Sequence, residues 1–87
     1  MQDVPELEPR SREILDFERA WWKGAGPKER RIRERFDLST SRYHQVLNRV
    51  IELPEALAYD PMLVRRLRRQ RDERRRKRYA RSLGVEG

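Results

Sequence analysis

The chain has 87 residues, enough for one small domain with a limited core. Hydrophobic residues make up 36% and charged residues 43%, and the absence of cysteine excludes disulfides, thiolate catalysis and cysteine-ligated metals. The net charge of +7 is polarised, with −3 over residues 1–22, +3 over 23–59 and +7 over 60–87, which points to a polyanionic partner for the basic part.

Residues 1–10, MQDVPELEPR, hold two prolines and no hydrophobic period, so a disordered acidic tail is expected. It could shield the basic end of the chain, although solubility is the simpler account. From Ser11 the pattern turns helical, with Ser11 as N-cap, Ile14, Phe17 and Trp21 on one stripe and Leu15 and Trp22 on its neighbour. That phasing favours core packing for Trp21 over base stacking and leaves Trp22 less decided. Gly24-Ala25-Gly26-Pro27 breaks the helix, and proline at a first helical position opens a second one, from Pro27 to Phe36. Only Ile32 and Phe36 anchor that helix, so it depends on its neighbours for stability.

After Asp37-Leu38, Ser39 caps a third helix that runs to about Leu53, where Pro54 ends it. PEALAY adds no more than a short helical turn. Asp60-Pro61 then starts the last helix, whose Met62, Leu63, Val64 and Leu67 can pack on the core. Beyond Leu67 the same face continues as Gln70 and Arg74, and little apolar remains to bury. The segment RRQRDERRRKRYAR should project, supported by the pairs Arg69–Glu73, Asp72–Arg76 and Glu73–Lys77. No strand alternation, repeat or heptad series appears. The expectation is all-α: a four-helix helix-turn-helix domain over residues 11–67 and a basic, extended C-terminal helix over 68–87.

On a helical wheel, Tyr43, Val46, Leu47 and Val50 share one direction, with Ile51 at its edge. Ser41, Gln45, Asn48 and Glu52 lie opposite, flanked by Arg42 and Arg49. Asparagine and glutamine amides read adenine edges and arginine reads guanine edges, so this face suits a recognition helix in the DNA major groove. The preceding helix ends two or three residues upstream, as helix-turn-helix geometry requires. Asp37 stands where such turns usually carry glycine, and aspartate tolerates the left-handed conformation better than most residues. The candidate DNA-contacting residues are Ser39, Thr40, Ser41, Arg42, Gln45 and Asn48, with Arg49 able to reach backbone. Glu52, whose charge repels phosphate, marks where close contact should stop.

Candidate phosphate contacts are Lys28 and Arg31 on the second helix, followed by Arg65, Arg66, Arg68, Arg69 and Arg71 on the last. Further along that helix come Arg74, Arg75, Arg76, Lys77 and Arg78. Tyr79 and Leu83 are the only apolar side chains there that could wedge between base steps, a weak signal for kinking. The bland alternatives are a soluble surface helix at residues 40–50 and a solvated charged terminus at the C-terminal end. His44 has no cysteine or carboxylate at metal spacing, and no metal or other cofactor is expected. No Ser-His-Asp set, glycine-rich phosphate loop or carboxylate pair appears, so neither enzymatic activity nor a small-molecule substrate is expected. The longest apolar run, Ala56 to Tyr59, is too short for a membrane span, and the arginine-rich helix lacks the apolar face that membrane-surface binding needs.

The motifs FERAWW, FDLS, YHQVLNRVI and ALAYDPMLVRRL, over about residues 11–80, resemble a family of small actinobacterial proteins built on a domain of unknown function. The resemblance implies a helix-turn-helix core and, for some relatives, a nucleoid-associated or regulatory DNA-binding role. It implies no base-contacting residues. The expected partner is therefore duplex DNA, in the cytoplasmic nucleoid, with low sequence specificity and affinity drawn mainly from backbone charge. The competing expectation is an adaptor that docks on RNA polymerase or the ribosome, because one fold serves many functions.

Overall fold

The computed structural model describes residues 4–82, so residues 1–3 of the acidic tail and Leu83 lie outside the described part. The fold is all-α: α1 (Pro9–Ala20), α2 (Lys28–Phe36), α3 (Thr40–Val50), α4 (Pro54–Tyr59) and α5 (Pro61–Ser82), with no strand among the described residues. Five helices replace the four expected, because PEALAY closes a helix of its own. Pro54 supplies the fixed φ of its first turn, and the Ala56 and Leu57 amides bond the Leu53 carbonyl.

Helix α1 begins at Pro9, two residues before Ser11. Its N-cap is Glu8, with no side-chain cap, while Ser11 is buried inside the first turns. Proline at the first helical position is pre-organised for the entry. Leu7, counted in the disordered tail from sequence, is only 5% exposed, because one apolar side chain ahead of the helix can reach the core even in an acidic segment.

The helix ends have identifiable causes. α1 tightens into a 3-10 turn at Trp21–Lys23 and releases through Gly24 to Gly26, whose φ of +91° favours glycine. α2 ends at Asp37 in the left-handed conformation, with φ 56° and ψ 41°, and its amide bonds the Arg33 carbonyl. The Ser39 hydroxyl accepts the Arg42 amide at 3.1 Å and caps α3. Asp60 repeats this at α5, accepting the Leu63 amide at 3.4 Å.

The core joins Ile14, Leu15 and Phe17 of α1, Ile32 and Phe36 of α2, Tyr43, Leu47 and Val50 of α3, and Leu63, Val64 and Leu67 of α5. Phe17, Phe36 and Tyr43 meet at its centre with ring centroids 5.5–5.9 Å apart. Trp21 packs partly buried against this core, as its phase predicts, whereas Trp22 is 63% exposed. Met62, expected in the core, is 81% exposed. The buried stripe of α5 starts one residue later, with Leu63 and Val64, and the adjacent position turns outward. Burial on α5 ends at Arg71, and from Asp72 to Arg81 no side chain of the helix is buried. That overhang contributes to a radius of gyration of 14.9 Å, above the roughly 12 Å of a compact chain this long.

Candidate nucleic-acid interface

Helices α2 and α3 are joined by Asp37, Leu38 and Ser39 alone, so the left-handed Asp37 and the Ser39 cap set the angle between them. Tyr43, Leu47 and Val50 hold the inward side of α3, with Val46 partly buried beside them. Ser41, Arg42, Gln45 and Arg49 are exposed on the outer side together with Ser39, while Thr40 and Asn48 are half-buried. Two of these exposed groups are already ordered, since the Arg42 guanidinium donates to Gln45 Oε1 at 3.1 Å. His44 lies beside this face rather than on it, its Nδ1 hydrogen-bonded to the Thr40 carbonyl at 2.9 Å and its ring edge-on to Tyr43.

The anchor behind α3 is a buried polar cluster. Tyr43 donates its hydroxyl to Glu18 Oε2 at 2.5 Å, and Lys28 Nζ stands 3.0 Å from the same oxygen. One carboxylate of α1 thereby ties α2 to α3. Burial, reinforced by the Glu18 charge and the hydrogen bond, pushes the Tyr43 phenol well above its ordinary range, so it stays protonated and donating. Glu18 was missed in the sequence, although it sits four residues after Ile14, on the same buried face of α1.

Four residues expected to contact phosphate are instead committed inside the molecule. Lys28 faces Glu18 and lies 5.1 Å from the Trp21 ring, because it shares the face of α2 that carries Ile32 and Phe36. Arg31 donates to the Trp21 carbonyl and covers Phe17, filling the space beside Gly24, where a Cβ would collide with the guanidinium. Arg68 donates its Nε to the Ile51 carbonyl at 2.6 Å. Arg71 is buried and pairs with Glu52 and Asp72. Burial works against the Arg71 charge, but hydrogen bonds and the charges of Glu52 and Asp72 outweigh it and hold the guanidinium above its ordinary range. Glu52 does face outward, with its side chain 58% exposed, and it is paired there with Arg71.

The remaining basic residues are exposed. Arg65, Arg66, Arg69, Arg74, Arg75, Arg76, Lys77 and Arg78 all face solvent along α5. The ion pairs expected between residues 69 and 77 do not form among the described residues, and Asp72 turns to Arg71 instead. Arg30, Arg33 and Arg35 are exposed on α2, and of these only Arg30 lies clearly opposite Ile32 and Phe36 on the wheel. Tyr79 is exposed as well, amid the arginines of the overhang. No group of side chains able to hold a metal ion occurs among the described residues.

The fold and this surface define a small all-helical domain with a basic helical arm. The chain belongs to the family described as "Protein of unknown function (DUF3263)", which matches residues 6–79. The match begins beside the buried Leu7 and covers most of the overhang, so core and arm fall within one family domain. No curated protein and no solved structure matches the chain.

Proposed function

We propose that the protein binds duplex DNA as a nucleoid-associated or transcription-modulating factor, with α2 and α3 as a helix-turn-helix pair and α5 on the phosphates. The observation that carries this reading is the outer side of α3: Ser41, Arg42, Gln45 and Arg49 exposed together, on a helix held from behind by the Tyr43–Glu18 bond. Such a face offers donors and amides to base edges in the major groove. The exposed arginines of α5 add sequence-independent affinity for backbone. Arg71 supports the same reading by cancelling the Glu52 charge at the end of α3.

The test is a salt-titrated gel shift with duplex DNA. Contact with about six phosphates gives a log K against log salt slope near −5. No binding at low salt, or tight binding indifferent to salt, overturns the reading. Replacing both Gln45 and Asn48 by alanine should change sequence preference and leave the slope intact. A double variant that binds every sequence like the parent removes α3 from the groove.

A second reading, an adaptor on RNA polymerase or the ribosome, draws on one observation. Trp22 and Tyr59 are exposed large aromatic side chains beside Arg19, which pairs with Asp16 and Asp60, and Met62 is exposed at the start of α5. A stoichiometric protein partner retained after nuclease treatment favours the adaptor over DNA.

A further inference from the structure

Arginine is not confined to one side of α5. Leu63, Val64, Leu67 and Arg71 mark the direction that faces the core. Turning about 100° per residue, that same direction carries Arg74, Arg78 and Arg81 beyond the domain. Arg65, Arg69 and Arg76 form a second row, roughly 170° away. All six side chains are exposed. A solvated helix with one working face would place its acids and neutral residues opposite that face. Here the only acids within α5 are Asp72 and Glu73, and Asp72 is taken by Arg71.

The dimensions separate the two rows. An α-helix with its side chains is about 10–12 Å across. A convex duplex laid along α5 meets one row and leaves the other pointing away. The outer row spans about 16 Å of helix and the inner row about 10 Å, against one phosphate per 3.4 Å of axis on each DNA strand. Each row is therefore long enough to touch several phosphates.

We infer that α5 is a two-sided arm that holds two DNA duplexes at once, one on Arg65, Arg69 and Arg76 and one on Arg74, Arg78 and Arg81, so that a single chain bridges DNA. This rests on the DNA-binding reading above and goes beyond it, since one duplex satisfies that reading. Charge complementarity selects the occupant: guanidinium donors predominate on both sides and match phosphate oxygens, and Asp72, which shares the side of the Arg65 row, is paired with Arg71. No second copy of the chain is required.

The test uses the full chain, a short duplex fixed on beads and a labelled duplex of the same sequence in solution. Single-duplex binding is followed separately by gel shift, and capture is compared at equal single-duplex occupancy. The parent should carry labelled duplex onto the beads. Arg65→Ala with Arg69→Ala and Arg76→Ala, or Arg74→Ala with Arg78→Ala and Arg81→Ala, should each keep single-duplex binding. Each variant's capture should fall by about tenfold or more as the second attachment is lost. Alanine at exposed helical positions preserves helicity, which circular dichroism verifies.

A parent that binds duplex in the gel but never captures the second one overturns bridging and leaves the DNA-binding reading standing. Capture that survives in either triple variant also overturns it. So does equal capture by beads coated with poly-glutamate in place of DNA, which reassigns a row to acidic polypeptides. Absence of any duplex binding in the gel overturns both readings together.

Discussion

From Pro61 to Arg71, α5 presses Leu63, Val64, Leu67 and Arg71 against the other helices, and from Asp72 onward no described side chain of the same helix is buried. Both halves are dominated by arginine. In the first half Arg68 and Arg71 reach the Ile51 carbonyl and the Glu52 carboxylate at the end of α3, so part of that charge does structural work. In the second half Arg74 stands one turn beyond Arg71, and helix α3 has ended before it can supply a partner. What decides an arginine's role here is the distance its helix has travelled past the last packed layer.

The sharpest way to break this comparison is to remove one apolar side chain from the packed half. Leu67→Ala empties a buried site and should destabilise the fold by about 2–4 kcal/mol. Arg74→Ala, seven residues on, should change stability by less than about 0.5 kcal/mol. Urea unfolding followed by circular dichroism separates the two outcomes. Equal losses would mean that the overhang is packed after all.

The next effect lies behind α3. Tyr43→Phe leaves the buried Glu18 with Lys28 alone and should cost about 1–2 kcal/mol near neutral pH. Its pH signature is distinctive. The folded-state pKa of Tyr43 is raised above the unfolded value near 10, so the stability it confers is complete below pH 10. Above pH 10 that stability drains away, by about 1.4 kcal/mol per pH unit, as the unfolded chain releases a proton that the folded chain keeps. Thermal unfolding between pH 8 and pH 11 should show this fall in the parent and a flatter profile in the variant. An unchanged alkaline slope would place the titration elsewhere.

Some of this was legible in the residues and some could not have been. Ser39, Asp37 and Asp60-Pro61 act on their own neighbours within a turn, so their roles follow from local rules and are found where those rules put them. The inward row of α3 follows from periodicity for the same reason. Lys28, Arg31, Arg68 and Arg71 depend on partners 10 to 19 residues away, and composition cannot tell a paired arginine from a free one. For Lys28 a local clue existed, since it shares the wheel position of Ile32 and Phe36. For Arg71 the clue was weaker: it continues the stripe of Leu63 and Leu67, where a long side chain can bury its stem and turn its head toward a carboxylate.

Arg71 therefore tests the boundary between the halves. Its partner Glu52 is largely exposed, so Arg71→Ala should cost only about 1 kcal/mol, much of it lost packing of the stem. A double-mutant cycle with Glu52→Gln should return a coupling of about 0.5–1 kcal/mol. Under the DNA-binding reading, Arg71→Ala should also weaken binding more than its own charge accounts for, because Glu52 is left uncompensated. Glu52→Gln in the same background should restore part of the affinity. A rescue that fails would confine Arg71 to the fold.

The smallest effect concerns the turn that aims α3. Asp37 adopts φ 56°, a conformation that costs a non-glycine residue about 1 kcal/mol and that aspartate and asparagine tolerate best. Its carboxylate also stands at the C-terminal end of α2, where the helix dipole disfavours negative charge. Asp37→Asn keeps the tolerance and removes the charge, so it should stabilise by a few tenths of a kcal/mol. Asp37→Gly relieves the strain but adds freedom to the unfolded chain, and these opposing terms leave a gain of about 0.5 kcal/mol or less. Asp37→Ala keeps the Cβ and loses the polar side chain that makes the conformation tolerable, so it should be the one loss in the series, about 1 kcal/mol. The order Asn and Gly above Asp, with Ala below, would establish that backbone conformation governs this position. Alanine as stable as the parent would show that the turn between α2 and α3 can be made without the left-handed residue.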